Sequence, residues 1–426
     1  MKLSRYNIYK RNTKDTVTIF NTLSRSMVTI AISLIKEIHD GKENAVSEEN
    51  GFLEDNGFIC EDDIDEFRVF SFWFNKRIHE ETRFTISFFP ISGYNCADPC
   101  CLGKCNDMSL STFNQSLSLI DSVLSMTSAM YVDLNYFYNG TLNNAQFIEI
   151  LDEYACRVKD KSDINLQINV VTNGMLLTTD IIRSFTYKHV KSVDLILSGC
   201  SEQNNAFNLE RYEKQDTNKI CKSVIQLLEM GFEVTLSGNT ENSNDLFLRN
   251  CLTQIPKDCR EKIHIKLTLL GSENSSMQAH NLLEERNKID NFVSILRLAV
   301  DLGYQLSPLS YGDTPCIAET DNTLIIDSYG DIYKCYCCAG RHSEKIANVF
   351  DSSTLVFQKM LASKASYVTQ VITKECKECE FLPLCRSGCV LDSKVARKKN
   401  ICHREFYNHL ATSLITNFGG IDDQPT

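Results

Sequence analysis

Cysteine spacing is where chemistry first shows in this sequence. Gly330 follows Cys316 after thirteen residues, and Cys335 follows Gly330 after four. A compact block comes later: Cys376, two residues, Cys379, five residues, Cys385, three residues, Cys389, and then Cys402. Thiolates this close in sequence can converge on one ion or cluster without straining the chain. A second group, Cys96, Cys100, Cys101 and Cys105, places four thiols in one loop punctuated by Pro99 and Gly103. Paired Cys-x-x-Cys motifs also build structural zinc sites. The long spread of ordered ligands, together with a separate cysteine loop, favours iron–sulfur clusters over a zinc ribbon. Cys60, Cys156, Cys200, Cys221, Cys251 and Cys259 read as buried small hydrophobes, and His189, His264 and His280 have no partner at ligand spacing.

The elements that must position these thiols follow from periodicity. Apolar or alternating runs at Phe84–Ile91, Met130–Phe137, Leu166–Val171, Val193–Leu197, Phe232–Leu236 and Ile263–Leu269 read as strands. Amphipathic stretches between them, such as Leu110–Leu124, Ala145–Val158, Asn218–Met230 and Ile289–Asp301, read as helices. Such alternation predicts an α/β fold whose parallel sheet is covered by helices, either a partial barrel or a doubly wound sheet. Catalytic groups then belong at the carboxyl ends of the strands, where Cys96–Cys105 lies. Residues 1–82 read as a small α+β unit, with strands at Tyr6–Tyr9 and Val17–Phe20, helical periodicity over Ser24–His39 and a strand–turn segment at Gly51–Ile59. The acidic run between residues 42 and 66 reads as a solvated face. The expected divisions are 1–82, 83–305, a loop-rich cysteine-dense region 306–412, and a tail 413–426 that frays after Phe418.

The chain has 426 residues, 43% of them hydrophobic and 23% charged, a composition typical of soluble globular proteins. Nineteen cysteines in a long chain lacking a signal-peptide layout point to a reducing cytoplasm, with thiolates kept for metal. A net charge of −11 and the lack of a basic stripe argue against nucleic-acid binding. Met27–Ile35 is too short to span a membrane.

Taken together, the chain resembles the radical SAM enzymes with a C-terminal SPASM domain, a group containing peptide maturases and anaerobic sulfatase-maturating enzymes. The seven cysteines match the SPASM signature at every spacing, and Thr172-Asn173-Gly174 matches the TNG that the family places after its third strand. The resemblance implies a partial (β/α)6 TIM-type barrel with a small N-terminal α+β unit and a loop-rich, cysteine-rich SPASM domain. It implies three [4Fe-4S] clusters: one in the barrel loop that chelates S-adenosylmethionine, and two auxiliary ones. Cys316, Cys335 and Cys389 would hold the first auxiliary cluster, with Cys337, Cys338 or an open position as the fourth. Cys376, Cys379, Cys385 and Cys402 would hold the second. The cofactor would lie near Asn139, Gly140, Thr141, Thr172, Asn173 and Ser198. The expected reaction is hydrogen abstraction by a 5′-deoxyadenosyl radical from a ribosomally made precursor peptide or small protein, with ferredoxin or flavodoxin as electron donor and an N-terminal unit that captures the leader peptide.

Three positions depart from the family pattern. The barrel loop's third cysteine should fall at Gly103, whereas the chain offers Cys96, then Cys100 or Cys101, then Cys105. The family's Gly-Gly-Glu reads Asn139-Gly140-Thr141, and its Ser-Leu-Asp-Gly reads Ile196-Leu197-Ser198-Gly199. These departures leave a second expectation: a degenerate member that binds peptide or transfers electrons beside an active maturase.

Overall fold

The computed structural model describes residues 1–40, 48–90, 107–138, 142–174, 177–187, 189–197, 214–239, 245–268, 282–307, 316–368, 372–389 and 401–419. The chain begins with β1 (Lys2–Leu3), β2 (Asn7–Arg11), β3 (Thr16–Asn21) and β4 (Met27–Ala31), followed by α1 (Ile32–His39), α2 (Glu48–Asp55), β5 (Ile59–Cys60) and α3 (Glu66–Ile78). Strands β2, β3 and β4 form an antiparallel sheet in that order, and β1 pairs with β5.

Two sequence expectations for this unit are corrected. The segment Ser24–His39 is a strand and then a helix, because Met27-Val28-Thr29-Ile30 pairs along β3 before the chain turns into α1. β-Branched side chains lose less rotamer freedom on a pleated sheet than in a helix. The segment Gly51–Ile59 is mostly helix: α2 runs to Asp55, and the left-handed Gly57 (φ +73°) reverses the chain into β5. Nor is the acidic run solvated throughout. Glu66 is buried, accepting from the Ser4 hydroxyl at 2.5 Å and from the Arg5 backbone N–H at 3.0 Å.

The central layer is a ten-stranded sheet. β6 (Arg83–Phe89), α4 (Leu110–Leu124), β7 (Tyr131–Phe137), α5 (Leu142–Lys161), β8 (Asn165–Thr172), α6 (Thr179–Arg183) and β9 (Val190–Ile196) come first. Then follow α7 (Lys214–Glu229), β10 (Glu233–Asn239), α8 (Asp245–Gln254), α9 (Lys257–Arg260), β11 (Ile263–Thr268), α10 (Leu282–Asp301) and β12 (Gln305–Leu306). The chain closes with β13 (Thr323–Asp327), β14 (Asp331–Tyr333), β15 (Ala347–Asn348), α11 (Ser353–Val368), α12 (Lys374–Lys377), α13 (Leu382–Cys385) and α14 (Arg404–Phe418).

Strand order is β12-β11-β10-β9-β8-β7-β6-β13-β14-β15, with every pair from β12 to β13 parallel. The sheet is open: among the described residues β12 and β15 are its unpaired edges. Of the two α/β architectures the alternation allows, this is the partial barrel that the family resemblance implies. One face of the strands (Val132, Leu134 and Tyr136 on β7; Ile168 and Val170 on β8) is buried against helices in the main core. The opposite face is polar and half-buried, so the inner side of the sheet is built as a lumen rather than as core.

Candidate functional site: a polar lumen beside two cysteine groups

The lumen starts with a saturated polar layer. Asn135 Nδ2 donates to Ser87 Oγ at 3.3 Å, Asn169 Nδ2 to Asn135 Oδ1 at 3.0 Å, and the Ser192 hydroxyl to Asn169 Oδ1 at 2.8 Å. The Tyr336 hydroxyl joins the ladder through Ser87 at 2.8 Å. One polar group from each of four adjacent parallel strands is thereby satisfied, as low-dielectric surroundings require. Further along β9 and β10, towards their carboxyl ends, Asp194 Oδ1 and Ser237 Oγ are buried facing one another, Ser237 close enough to act on the carboxyl as a hydrogen-bonding group. Burial raises the Asp194 carboxyl above the ordinary range, with Lys266 opposing the shift.

A raised folded value means that the fold disfavours the ionised form. Stability is therefore lost as pH climbs from the unfolded carboxylate range through the folded one. Asp194→Asn is expected to be more resistant to urea than the parent at pH 7. That advantage should disappear below the unfolded carboxylate range, and an advantage equal at both pH values would contradict the assignment.

Phe89, Phe137 and Tyr336 wall this lumen, Phe89 and Phe137 stacked with ring centroids 4.0 Å apart and Tyr336 at 5.8 Å from each. Tyr336 follows Cys335 directly, so the aromatic wall of the lumen and the first cysteine group share one turn. Here Cys335 is buried, Cys338 is fully buried and Cys337 half-buried. Hydrogen bonds from Cys337 and Cys338 lower the Cys335 thiol below the ordinary cysteine range. The Cys316 thiol lies within electrostatic reach of Cys335. Its backbone N–H donates to Glu319 Oε2 at 3.0 Å, and Arg386 approaches the same oxygen at 3.6 Å.

The second group is assembled by three short turns. The Thr373 hydroxyl caps α12 by accepting from Cys376 N–H at 3.3 Å, and Cys379 N–H closes the Cys-x-x-Cys turn onto Cys376 C=O at 3.1 Å. Phe381, Leu382 and Leu384 anchor α13 in the core and present Cys385 at its end. Arg386, Ser387 and Gly388 are all left-handed (φ 51°, 71° and 94°), which folds the three-residue interval back on itself before Cys389. A Cβ on Gly388 would stand 3.0 Å from the Ile401 carbonyl, immediately before Cys402. Arg404 Nη2 reaches both oxygens of Glu380 at 2.6 and 2.8 Å, clamping the chain after Cys402 to the chain after Cys379.

The charges of Cys376, Cys379 and Cys402 all bear on Cys385, so these four sulfurs share one neighbourhood. Burial pushes the Cys385 thiol up to about 11. Cys376, Cys379 and Cys385 are half-buried and Cys402 is exposed, and a cationic iron centre is what would hold Cys385 as a thiolate against its burial. The donor set therefore fits a four-sulfur group. Cys389 stands beside Tyr407 of α14.

Cys96, Cys100, Cys101, Cys105, Asn139, Gly140, Thr141 and Ser198 lie outside the described residues. Thr172 is buried at the carboxyl end of β8, and its hydroxyl accepts from Gly174 N–H at 3.3 Å in a left-handed turn at Gly174 (φ +75°). Sequence spacing gave Cys156 and His189 no ligand partner, yet the fold places them 3.8 Å apart beside Asp152. The i, i+4 spacing of Asp152 and Cys156 on α5 was the available signal, but His189 comes from another element.

A groove of about 630 Å³ opens on the N-terminal unit, along β4, which among the described residues is an unpaired sheet edge. Val28, Ile30, Leu34, Phe52 and Leu53 line it, with Glu37 at its polar side. Tyr6 and Phe70 of the same unit pack against Leu382 of α13, so the groove belongs to a body seated on the second cysteine group.

No family model matches the sequence, and no curated protein matches it. Solved structures do. The anaerobic sulfatase-maturating enzyme anSMEcpe with bound AdoMet is similar at 13% identity and a TM-score of 0.57, covering 79% of this chain and 97% of its own. Streptococcus suis SuiB bound to precursor peptide SuiA is similar at 12% identity and a TM-score of 0.52, covering 95% of this chain and 99% of its own. No membrane-length apolar helix occurs among the described residues. The chain has the fold of these radical SAM/SPASM peptide modifiers.

Proposed function

We propose that the protein is a radical SAM/SPASM iron–sulfur enzyme that modifies a ribosomally synthesised peptide. The observation that carries this reading is the shared neighbourhood of Cys376, Cys379, Cys385 and Cys402, together with a first cysteine group adjoining a polar, aromatic-walled lumen, on a fold whose solved neighbours carry AdoMet and peptides. Cys316, Cys335 and Cys389 would hold the first auxiliary cluster, with Cys337 or Cys338 available as a fourth sulfur. The barrel cluster would be held by Cys96, Cys100 or Cys101, and Cys105, with Thr172, Asn173, Ser198 and the Asn139-Gly140-Thr141 turn near the cofactor. When bound, reduced cluster and S-adenosylmethionine together supply a hydrogen-abstracting 5′-deoxyadenosyl radical.

The chain's own residues orient the substrate and exclude water. Phe89, Phe137 and Tyr336 wall the lumen, while the buried Asp194–Ser237 pair offers a carboxyl that a peptide N–H or ammonium group would satisfy. Peptide capture falls to the edge of β4, where an extended segment can add a strand and place alternate side chains in the groove. SuiB, solved with its precursor peptide, covers more of this chain than anSMEcpe does, by a difference comparable in size to the N-terminal unit. Residues 1–82 would then be the peptide-binding unit, 83–305 the barrel and 306–412 the SPASM domain, working in the cytoplasm with a ferredoxin or flavodoxin donor.

The deciding experiment is anaerobic reconstitution with iron counted per chain and 5′-deoxyadenosine assayed after reduction. About twelve irons with cofactor cleavage supports the enzyme. About eight without cleavage supports the degenerate partner that the Asn139-Gly140-Thr141 substitution would produce. Zinc in place of iron defeats both. For the groove, Leu34→Glu is expected to weaken binding of the peptide encoded by a neighbouring short reading frame at least about tenfold, because a charge would be buried against apolar contact, with iron content unchanged. Unaltered binding would remove β4 from the docking role.

A further inference from the structure

A cluster of ligand-type side chains lies at the amino end of β9. Asp152 and Cys156 stand one turn apart on α5, and His189 sits immediately before β9. His189 Nδ1 is 3.0 Å from Asp152 Oδ1 and 3.8 Å from Cys156 Sγ, and the ligand atoms of all three lie within 4.8 Å of one another. The His189 backbone N–H also donates to Asp152 Oδ1 at 2.7 Å, which fixes the carboxylate against the loop. His189 and Asp152 side chains are only 8% and 13% exposed, and Cys156 is half-buried. The ring's other nitrogen, Nε2, is buried without a partner, so all the polar chemistry of His189 is directed at this one pocket.

The geometry points to a divalent-metal site of the zinc type formed by Asp152 Oδ, Cys156 Sγ and His189 Nδ1. Zinc bonds of about 2.0–2.3 Å set tetrahedral edges of about 3.3 Å between nitrogen and oxygen and about 3.6 Å between nitrogen and sulfur. The spacings present are within a few tenths of an ångström of those edges. One carboxylate and one thiolate match the charge of a divalent ion, and the mixed nitrogen, sulfur and oxygen set suits zinc rather than magnesium or calcium. Glu149 and Glu153, close enough for their charges to bear on Tyr187 together with that of Asp152, add a negative field at the rim.

A β-bulge lies directly beside the cluster. Val190 pairs with Ile168 and Ser192 with Asn169, leaving Lys191 as an extra residue at the start of β9. Bulges of this kind re-aim neighbouring side chains and gather next to sites. Binding would release the thiol proton to solvent and leave the imidazole proton on Nε2, with a fourth coordination position open to water. None of these residues belongs to the cysteine groups described above, so the inference stands apart from the proposed reaction.

The test uses cluster-loaded protein with iron counted before and after zinc is added. Alkylation of Cys156 by iodoacetamide, followed peptide by peptide in a mass spectrometer, is expected to slow at least about tenfold at micromolar zinc and not with magnesium. Asp152→Asn, which keeps an oxygen to accept from His189, and His189→Gln are each expected to lose that protection and one zinc per chain. Zinc that leaves Cys156 as reactive as before overturns the site. So does protection that survives in both variants, since the metal would then be held elsewhere. Should His189→Gln fail to fold, Asp152→Asn and the zinc–magnesium contrast decide.

Discussion

Replacing Cys379 and Cys385 together by serine is expected to remove about four irons per chain and leave the remaining iron in place. Both sulfurs belong to the neighbourhood shared with Cys376 and Cys402, on turns closed by backbone hydrogen bonds rather than by packing alone. Hydroxyls bind iron poorly, so two weak ligands out of four forfeit the group. The control is Cys251→Ser. That thiol is fully buried in the main core, where burial pushes it well above its ordinary value, so iron content should not change. Iron lost in the Cys251 variant, or iron retained in the double variant, would separate the cluster from this block. The double variant should also be less stable, because α12, α13 and the start of α14 are held in register by the sulfurs they share and by the Arg404–Glu380 clamp.

What the sequence disclosed was local. Parallel strands buried on one face and polar on the other alternate visibly, so Tyr131–Phe137 and Asn165–Thr172 fall where the pattern puts them. Helix α4 begins where Ser109 accepts from Thr112 N–H, a cap readable in advance, and its ends match the predicted Leu110–Leu124. The C-terminal cysteine block was legible as a pattern because Cys376, Cys379, Cys385 and Cys389 are separated by only two, five and three residues.

The N-terminal unit was harder to read because Met27–Ala31 and Ile32–His39 are apolar enough to continue one helical stripe. Pairing of Val28 with Ile19 across β3 and β4, a long-range choice, decides for strand. Helix α3 went unread although Asp65 caps it by accepting from Arg68 N–H, because the acids preceding it masked its start. The lumen's buried Asp194–Ser237 pair and the Asp152–Cys156–His189 cluster depend on strand register, which spacing does not carry.

Gly330 shows how far such register reaches. Its place in the motif, with four residues between it and Cys335, follows from the turn between β13 and β14. Gly330 has φ +77°, and a Cβ there would stand 2.5 Å from Val349 Cγ2 and 3.0 Å from Thr112 Cγ2. Both neighbours are fixed: Val349 is fully buried, and Thr112 lies in the first turn of α4. Gly330→Ala is therefore expected to destabilise the protein by about 2–4 kcal/mol, combining left-handed strain with overpacking. Because Ile332 and Tyr333 of β14 run straight into Cys335, the displaced turn should also loosen the first cysteine group. The measurement is urea unfolding of cluster-loaded protein alongside its iron count. Val349→Ala supplies the internal check. If the clash dominates, the double variant should be less destabilised than the sum of the singles by about 1 kcal/mol. Strict additivity would place the whole cost in the backbone conformation of Gly330 and leave Val349 no part in holding the turn.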